Sequence, residues 1–203
     1  MVAKGFRFGM LLQIAIGPVC LLILQTAIAS GFAAAESGVL AVVLVDALFI
    51  FAAIWGIGAL FTRFPQTKVI LKFFGGLVLI LFGFSNILGL FGITLIPGLN
   101  LSARSGSGSF FTTMLVLTLS NPLTILFWAG VFSTKLAEEN FQRGQVYAFG
   151  GGAVLSTAFF LSLVSFLGSL VNAYLPPMFI QALNFIVGLV LIGFGLHTML
   201  KKA

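Results

Sequence analysis

The chain has 203 residues, 60% hydrophobic and only 7% charged, with 24 Phe, 24 Gly and a mean hydropathy of +1.22. A soluble domain of this length has no interior large enough to hide so much apolar side chain, so composition excludes a soluble fold and points to one integral helical membrane domain. The formal charge of +6 comes from lysines and arginines in the gaps between apolar runs; they form no nucleic-acid patch and act as membrane-orientation signals.

Six apolar segments follow one another at 8–29, 37–61, 69–90, 110–134, 144–171 and 178–200, each long enough to cross a bilayer. Lys4 and Arg7 precede the first, and Ala27-Ile28-Ala29 resembles a cleavage site. The apolar stretch is too long for a signal core, however, so the segment is expected to be retained. Gly17-Pro18 interrupts it, flanked by Gln13 and Cys20. A proline in a helix interior removes a donor and clashes with the preceding turn, which predicts a break there.

The second segment holds one acid, Asp46, among Val42, Val43, Leu44, Val45 and Leu48. An aspartate near the bilayer centre costs about 2.5–3.5 kcal/mol on insertion scales, and the basic residues lie too far along the chain to neutralise it. Asp46 is therefore either held neutral, as suits a proton carrier, or ionised and facing a substrate cation; a protonated acid bonded to opened backbone is the structural alternative. Glu36, Glu138 and Glu139 lie at segment ends and are expected to be solvated. The Gly/Ser-rich stretch 91–109, with Pro97 and Arg104, reads as a flexible connector.

The fourth segment carries Thr118-Leu119-Ser120-Asn121-Pro122-Leu123-Thr124 in mid-run. Asn121 has the chemistry of an N-cap and Pro122 that of a first helical residue, so a helix stops and a fresh one starts inside the membrane. Its free amide ends need protein or a polar cavity around them. Such a break can be a packing kink alone, but two at matching places point to a transporter site. Gln13, Gln25, Thr26, Thr118, Thr124 and Trp128 are the polar or amphipathic side chains near the breaks that are expected to line it.

The two halves repeat. Residues 76–83 match 188–195 at all but one position, Gly38 and Ala47 line up with Gly144 and Ala153, and Gly17-Pro18 with Asn121-Pro122. Three spans per half then give a 3+3 inverted repeat, 8–90 and 110–200, joined by the linker 91–109. Glycines seven apart at 76/83 and 188/195 suit close helix packing and would allow a homodimer. With an even number of spans, nine lysines and arginines fall on the side of the termini and only Arg104 on the other, which argues for cytoplasmic termini.

A single cysteine and a single histidine, His197, leave no disulfide, paired-thiol or histidine metal site, and no cofactor is expected. One buried carboxylate is likewise a poor metal site.

Gly17-Pro18, Asp46 and the run Asn121-Pro122-Leu123-Thr124-Ile125-Leu126-Phe127-Trp128, in that order, resemble the LysE-type translocator family of bacterial amino-acid exporters. The resemblance covers nearly the whole chain. It implies a multi-pass exporter of amino acids or related metabolites in a prokaryotic plasma membrane, driven by proton antiport, and no enzyme. Asp46 then matches the family's second-helix acid, and Gly17-Pro18 and Asn121-Pro122 its paired breaks. One departure stands out: family members look basic in the first–second and third–fourth links, where this chain has only Arg104. A cation or metal-ion exporter and a passive pore are the alternatives.

Overall fold

The computed structural model describes residues 1–13, 18–55, 65–91, 93, 107–121, 124, 128, 143–172 and 177–200. Seven helices run through them: α1 Val2–Gln13, α2 Pro18–Ser30, α3 Phe32–Ile54, α4 Pro65–Gly89, α5 Ser107–Ser120, α6 Arg143–Asn172 and α7 Pro177–Leu200. Thr124 and Trp128 are helical as well. Proline opens α2, α4 and α7, where its fixed φ suits the first turn and its missing N–H is not needed.

Helix boundaries differ from the hydropathy segments mainly at their starts. Helix α3 begins five residues before the apolar run at 37, because Phe32 and the alanines after it extend the helix across Glu36. The expected link between the first two segments shrinks to Gly31 alone. Its φ of +85°, a region that penalises any Cβ, reverses the chain between α2 and α3. The Gly31 N–H closes α2 on the Ala27 carbonyl at 3.0 Å, and the Gly31 carbonyl accepts from the Ala35 N–H at 3.3 Å to start α3.

Polar and apolar side chains are distributed inside out. On α3, Leu40, Leu44, Leu48 and Phe51 form an exposed stripe at helical spacing, while Val39, Val42, Asp46, Phe49 and Ala53 are buried. Exposed leucines and phenylalanines recur on α4, α6 and α7, yet Gln25, Asn86, Asn184, Ser156 and Thr157 are buried. Bilayer hydrocarbon favours that arrangement and water penalises it. Helix α3 has 23 residues and α6 has 30; at about 1.5 Å per residue each exceeds a hydrocarbon core of about 30 Å.

Helix α4 packs on α7, α1 on α6, and α3 on both α5 and α6, with α2 against α3, α6 and α7. Glycines let two of these pairs touch backbone to backbone. A Cβ at Gly83 would lie 2.6 Å from the Gly188 carbonyl oxygen, and one at Gly188 2.9 Å from that of Gly83. Gly76 and Gly195 stand in the same reciprocal relation, at 2.8 and 2.6 Å. The four glycines expected to allow a dimer thus face one another within the protomer. Gly5 sits under the Phe149 carbonyl and Gly152 under that of Val2, which seats α1 on α6. Helices α3 and α6 run antiparallel: Phe32 meets Phe166 edge-on at 6.5 Å, and Phe51 meets Tyr147 at 6.3 Å.

Candidate functional site

Asp46 sits where α3 passes between two apolar clusters, one containing Val39 and Val42, the other Val45, Phe49 and Trp128. Only 5% of it is exposed, and it is turned away from the leucine stripe that meets lipid. Thr157 of α6 donates its hydroxyl to Asp46 Oδ2 at 3.0 Å. The same hydroxyl accepts from Gln13 Nε2 at 2.7 Å. The Trp128 indole N–H donates a further hydrogen bond to the carboxylate. A hydroxyl has one proton to give, and here it goes to the acid while a lone pair takes the amide. Gln13, Thr157 and Asp46 therefore form a directed chain in which each bond polarises the next.

Three of the expected site residues, Gln13, Asp46 and Trp128, thus converge. Gln13 is the last residue of α1, and its helical position faces α6 because Gly5 and Gly9 bring the two backbones together below it. Asn121 lies just past the end of α5 and is 7% exposed. Its N–H bonds back to the Thr118 carbonyl at 3.2 Å, and its own carbonyl accepts from the Thr124 N–H at 3.2 Å. Thr124 is half-buried, and Pro18 opens α2. Gly17 and Pro122 lie outside the described residues.

The sequence reading missed Thr157. A threonine in a long apolar helix gives no local sign of its role; only the pairing of α3 with α6 does. Also unforeseen is a buried carboxamide cluster. Gln25 Nε2 donates to Asn184 Oδ1 at 2.6 Å and to Asn86 Oδ1 at 3.2 Å, and Asn86 Nδ2 donates to Gln25 Oε1 at 3.3 Å and to the Asn184 carbonyl at 3.0 Å. Their signal was present as three carboxamides inside apolar runs, where each needs a partner. Cys20, as expected, is a half-buried hydrophobe packed on the core.

Glu36 corrects an expectation. Instead of standing in water at a link, it lies within α3, where Ser162 donates to its Oε1 at 2.6 Å and its Oε2 is buried without a partner among the described residues. The one-residue turn at Gly31 is the cause, since it pulls the start of α3 against α6.

Among the described residues, the arrangement has one acid held by neutral donors, deep between helices, with a polar chain leading to the end of α1. Such a group can hold or release a proton, or meet a cation, without competing with a resident base.

Comparison with known proteins gives the chemistry a context. Residues 10–202 match the family model described as LysE type translocator. A Bacillus subtilis (strain 168) protein named "Putative amino acid efflux protein YcgF" is 25% identical over 194 residues, covering 93% of this chain and 90% of its own. No solved structure matches significantly.

Proposed function

The chain belongs to the LysE type translocator family of membrane transporters, not enzymes, and from that premise we propose that it exports amino acids or related small metabolites by alternating access, in exchange for protons. The observation that carries the reading is the buried Asp46 carboxylate, held by Thr157 and Trp128 and linked through Thr157 to Gln13. A group of that kind binds a proton or a substrate ammonium in turn, so protonating it expels the amine and losing the proton readmits it.

The proposed scaffold is an inverted repeat of residues 8–90 and 110–200 about the linker 91–109. Reciprocal glycine contacts support it. If Gly76 corresponds to Gly188 and Gly83 to Gly195, the contact of Gly76 with Gly195 maps onto that of Gly188 with Gly83. Antiparallel α3 and α6 are what an inverted pair requires, and their contacts centre near Ala47 opposite Ala153, the residues that the repeat equates. Asp46 on this reading lies at mid-depth. Helix starts after Pro18 and Pro122, with Gly17 and Asn121 before them and Thr124 beside them, would present amide N–H groups to the substrate carboxylate. Asn121, a non-helical residue just past α5, supports the second of these breaks. The membrane is a prokaryotic plasma membrane with both termini cytoplasmic, as the lysine and arginine bias argues.

The test is uptake of labelled amino acids into proteoliposomes under an imposed pH gradient. Asp46→Asn is expected to abolish gradient-driven accumulation. Full gradient-driven transport by that variant refutes the proton role, and flux that never saturates and ignores the gradient favours a passive pore.

A further inference from the structure

Helix α3 carries a second acid, and it lies off-centre. Glu36 is ten residues before Asp46, which places it about 15 Å further along the helix axis, at the edge of a hydrocarbon core whose half-thickness is also about 15 Å. It stands at the end of α3 next to the Gly31 turn. Both acids meet hydroxyls of the same helix, Asp46 with Thr157 and Glu36 with Ser162. Between them the interface is apolar, with Val39, Val42 and Leu161 all buried.

We propose that Glu36 is the proton-collecting group of one membrane face, handing protons to Asp46 when the apolar layer between them opens. This rests on the proton-exchange reading above. Ser162 fixes one carboxylate oxygen and leaves the other without a hydrogen-bond partner among the described residues, so Oε2 is the atom that accepts the proton. Once the layer opens, water entering it relays the proton to Asp46 Oδ1 or Oδ2, each water passing on one proton as it takes another, and Glu36 returns to its starting form; nothing is consumed. The closed valine–leucine layer keeps the two acids from exchanging in this conformation, as an antiporter must if protons are not to leak.

Among the described residues, few charges compete. Helix α3 is packed against α2, α5 and α6. The titratable residues of those elements are Cys20 on α2, none on α5, and Arg143 and Tyr147 on α6. Tyr147 belongs to the far end of α3, where it accepts from the Trp55 indole at 2.9 Å. The residue that the repeat equates with Glu36 is Gln142, which cannot carry a proton. Proton collection of this kind therefore belongs to one face only.

The experiment is transport by the full chain in proteoliposomes of sided orientation, with the pH varied on one face at a time and substrate exchange at symmetric pH as the measure of an intact site. Glu36→Gln is expected to lose the response to pH on the α2–α3 face, keep the response on the opposite face, and retain symmetric exchange. Glu36→Asp is expected to restore the lost response. If the wild-type chain responds to pH and Glu36→Gln responds equally on both faces, Glu36 is not the collector, and the proton-exchange reading survives. If the wild type itself ignores pH on both faces, both proposals fall. Loss of symmetric exchange in Glu36→Gln with no rescue by Glu36→Asp assigns Glu36 a packing role and overturns the proposal.

Discussion

Replacing Thr157 by valine keeps the shape of a fully buried side chain and removes the one hydroxyl that joins Gln13 to Asp46. Two hydrogen bonds disappear together. The bond from the Gln13 amide is neutral and, as an interhelical bond in a membrane, contributes about 0.6–1.7 kcal/mol. The bond to Asp46 adds a similar amount if the acid is protonated, but about 1.5–3 kcal/mol if it is ionised. Thr157→Val is therefore expected to cost roughly 1–3 kcal/mol with a neutral Asp46 and about 2–5 kcal/mol with a charged one. The two cases separate in an Asp46→Asn background, where only the neutral cost remains. Unfolding of the purified protein in mixed detergent micelles, titrated with a denaturing detergent at several pH values, measures all four corners of the cycle. A loss below about 0.5 kcal/mol for Thr157→Val would sit within the noise of surface changes and refute a bridging hydroxyl. A larger loss, unchanged by Asp46→Asn at every pH, would mean that the acid stays neutral and cannot alternate between proton and amine.

Two further outcomes follow from the packing. Gly83→Ala puts a methyl 2.6 Å from the Gly188 carbonyl oxygen, which α7 must back away from, so a loss of about 1–3 kcal/mol is expected in the same unfolding titration; adding Gly188→Ala is expected to cost less than the sum, because one separation relieves both contacts. Gly31→Ala meets no atom within 4 Å and suffers only from the backbone, whose φ of 85° with ψ of 178° is open essentially to glycine alone, so Gly31→Ala and Gly31→Asn are each expected to lose about 1–3 kcal/mol.

The sequence announced its class through composition, and its helices through apolar runs broken by proline. Pro65 marks a start that hydropathy alone places four residues later, at 69, and Pro177 one that it places a single residue later, at 178. Asp46 was conspicuous because a charge in hydrocarbon always needs an account. Thr157 and Ser162 were not, since a hydroxyl in a membrane helix can bond its own backbone, as Ser156 does with the Ala153 carbonyl at 2.6 Å. Glu36 was misread because its charge set the apparent edge of the apolar run at 37, whereas Phe32 and the three alanines before it carry the helix back to Gly31. The carboxamides Gln25, Asn86 and Asn184 lie on three helices far apart in the chain, and no local spacing connects them.

The single residue between α2 and α3 sets more than a reversal. A link so short fixes the phase of one cylinder against the next, as a keyed shaft does. Inserting one residue there would rotate α3 by about 100° relative to α2. The leucine ridge at 40, 44 and 48 would swing toward protein, and Asp46 toward the acyl chains. That short join holds a costly acid pointed inward.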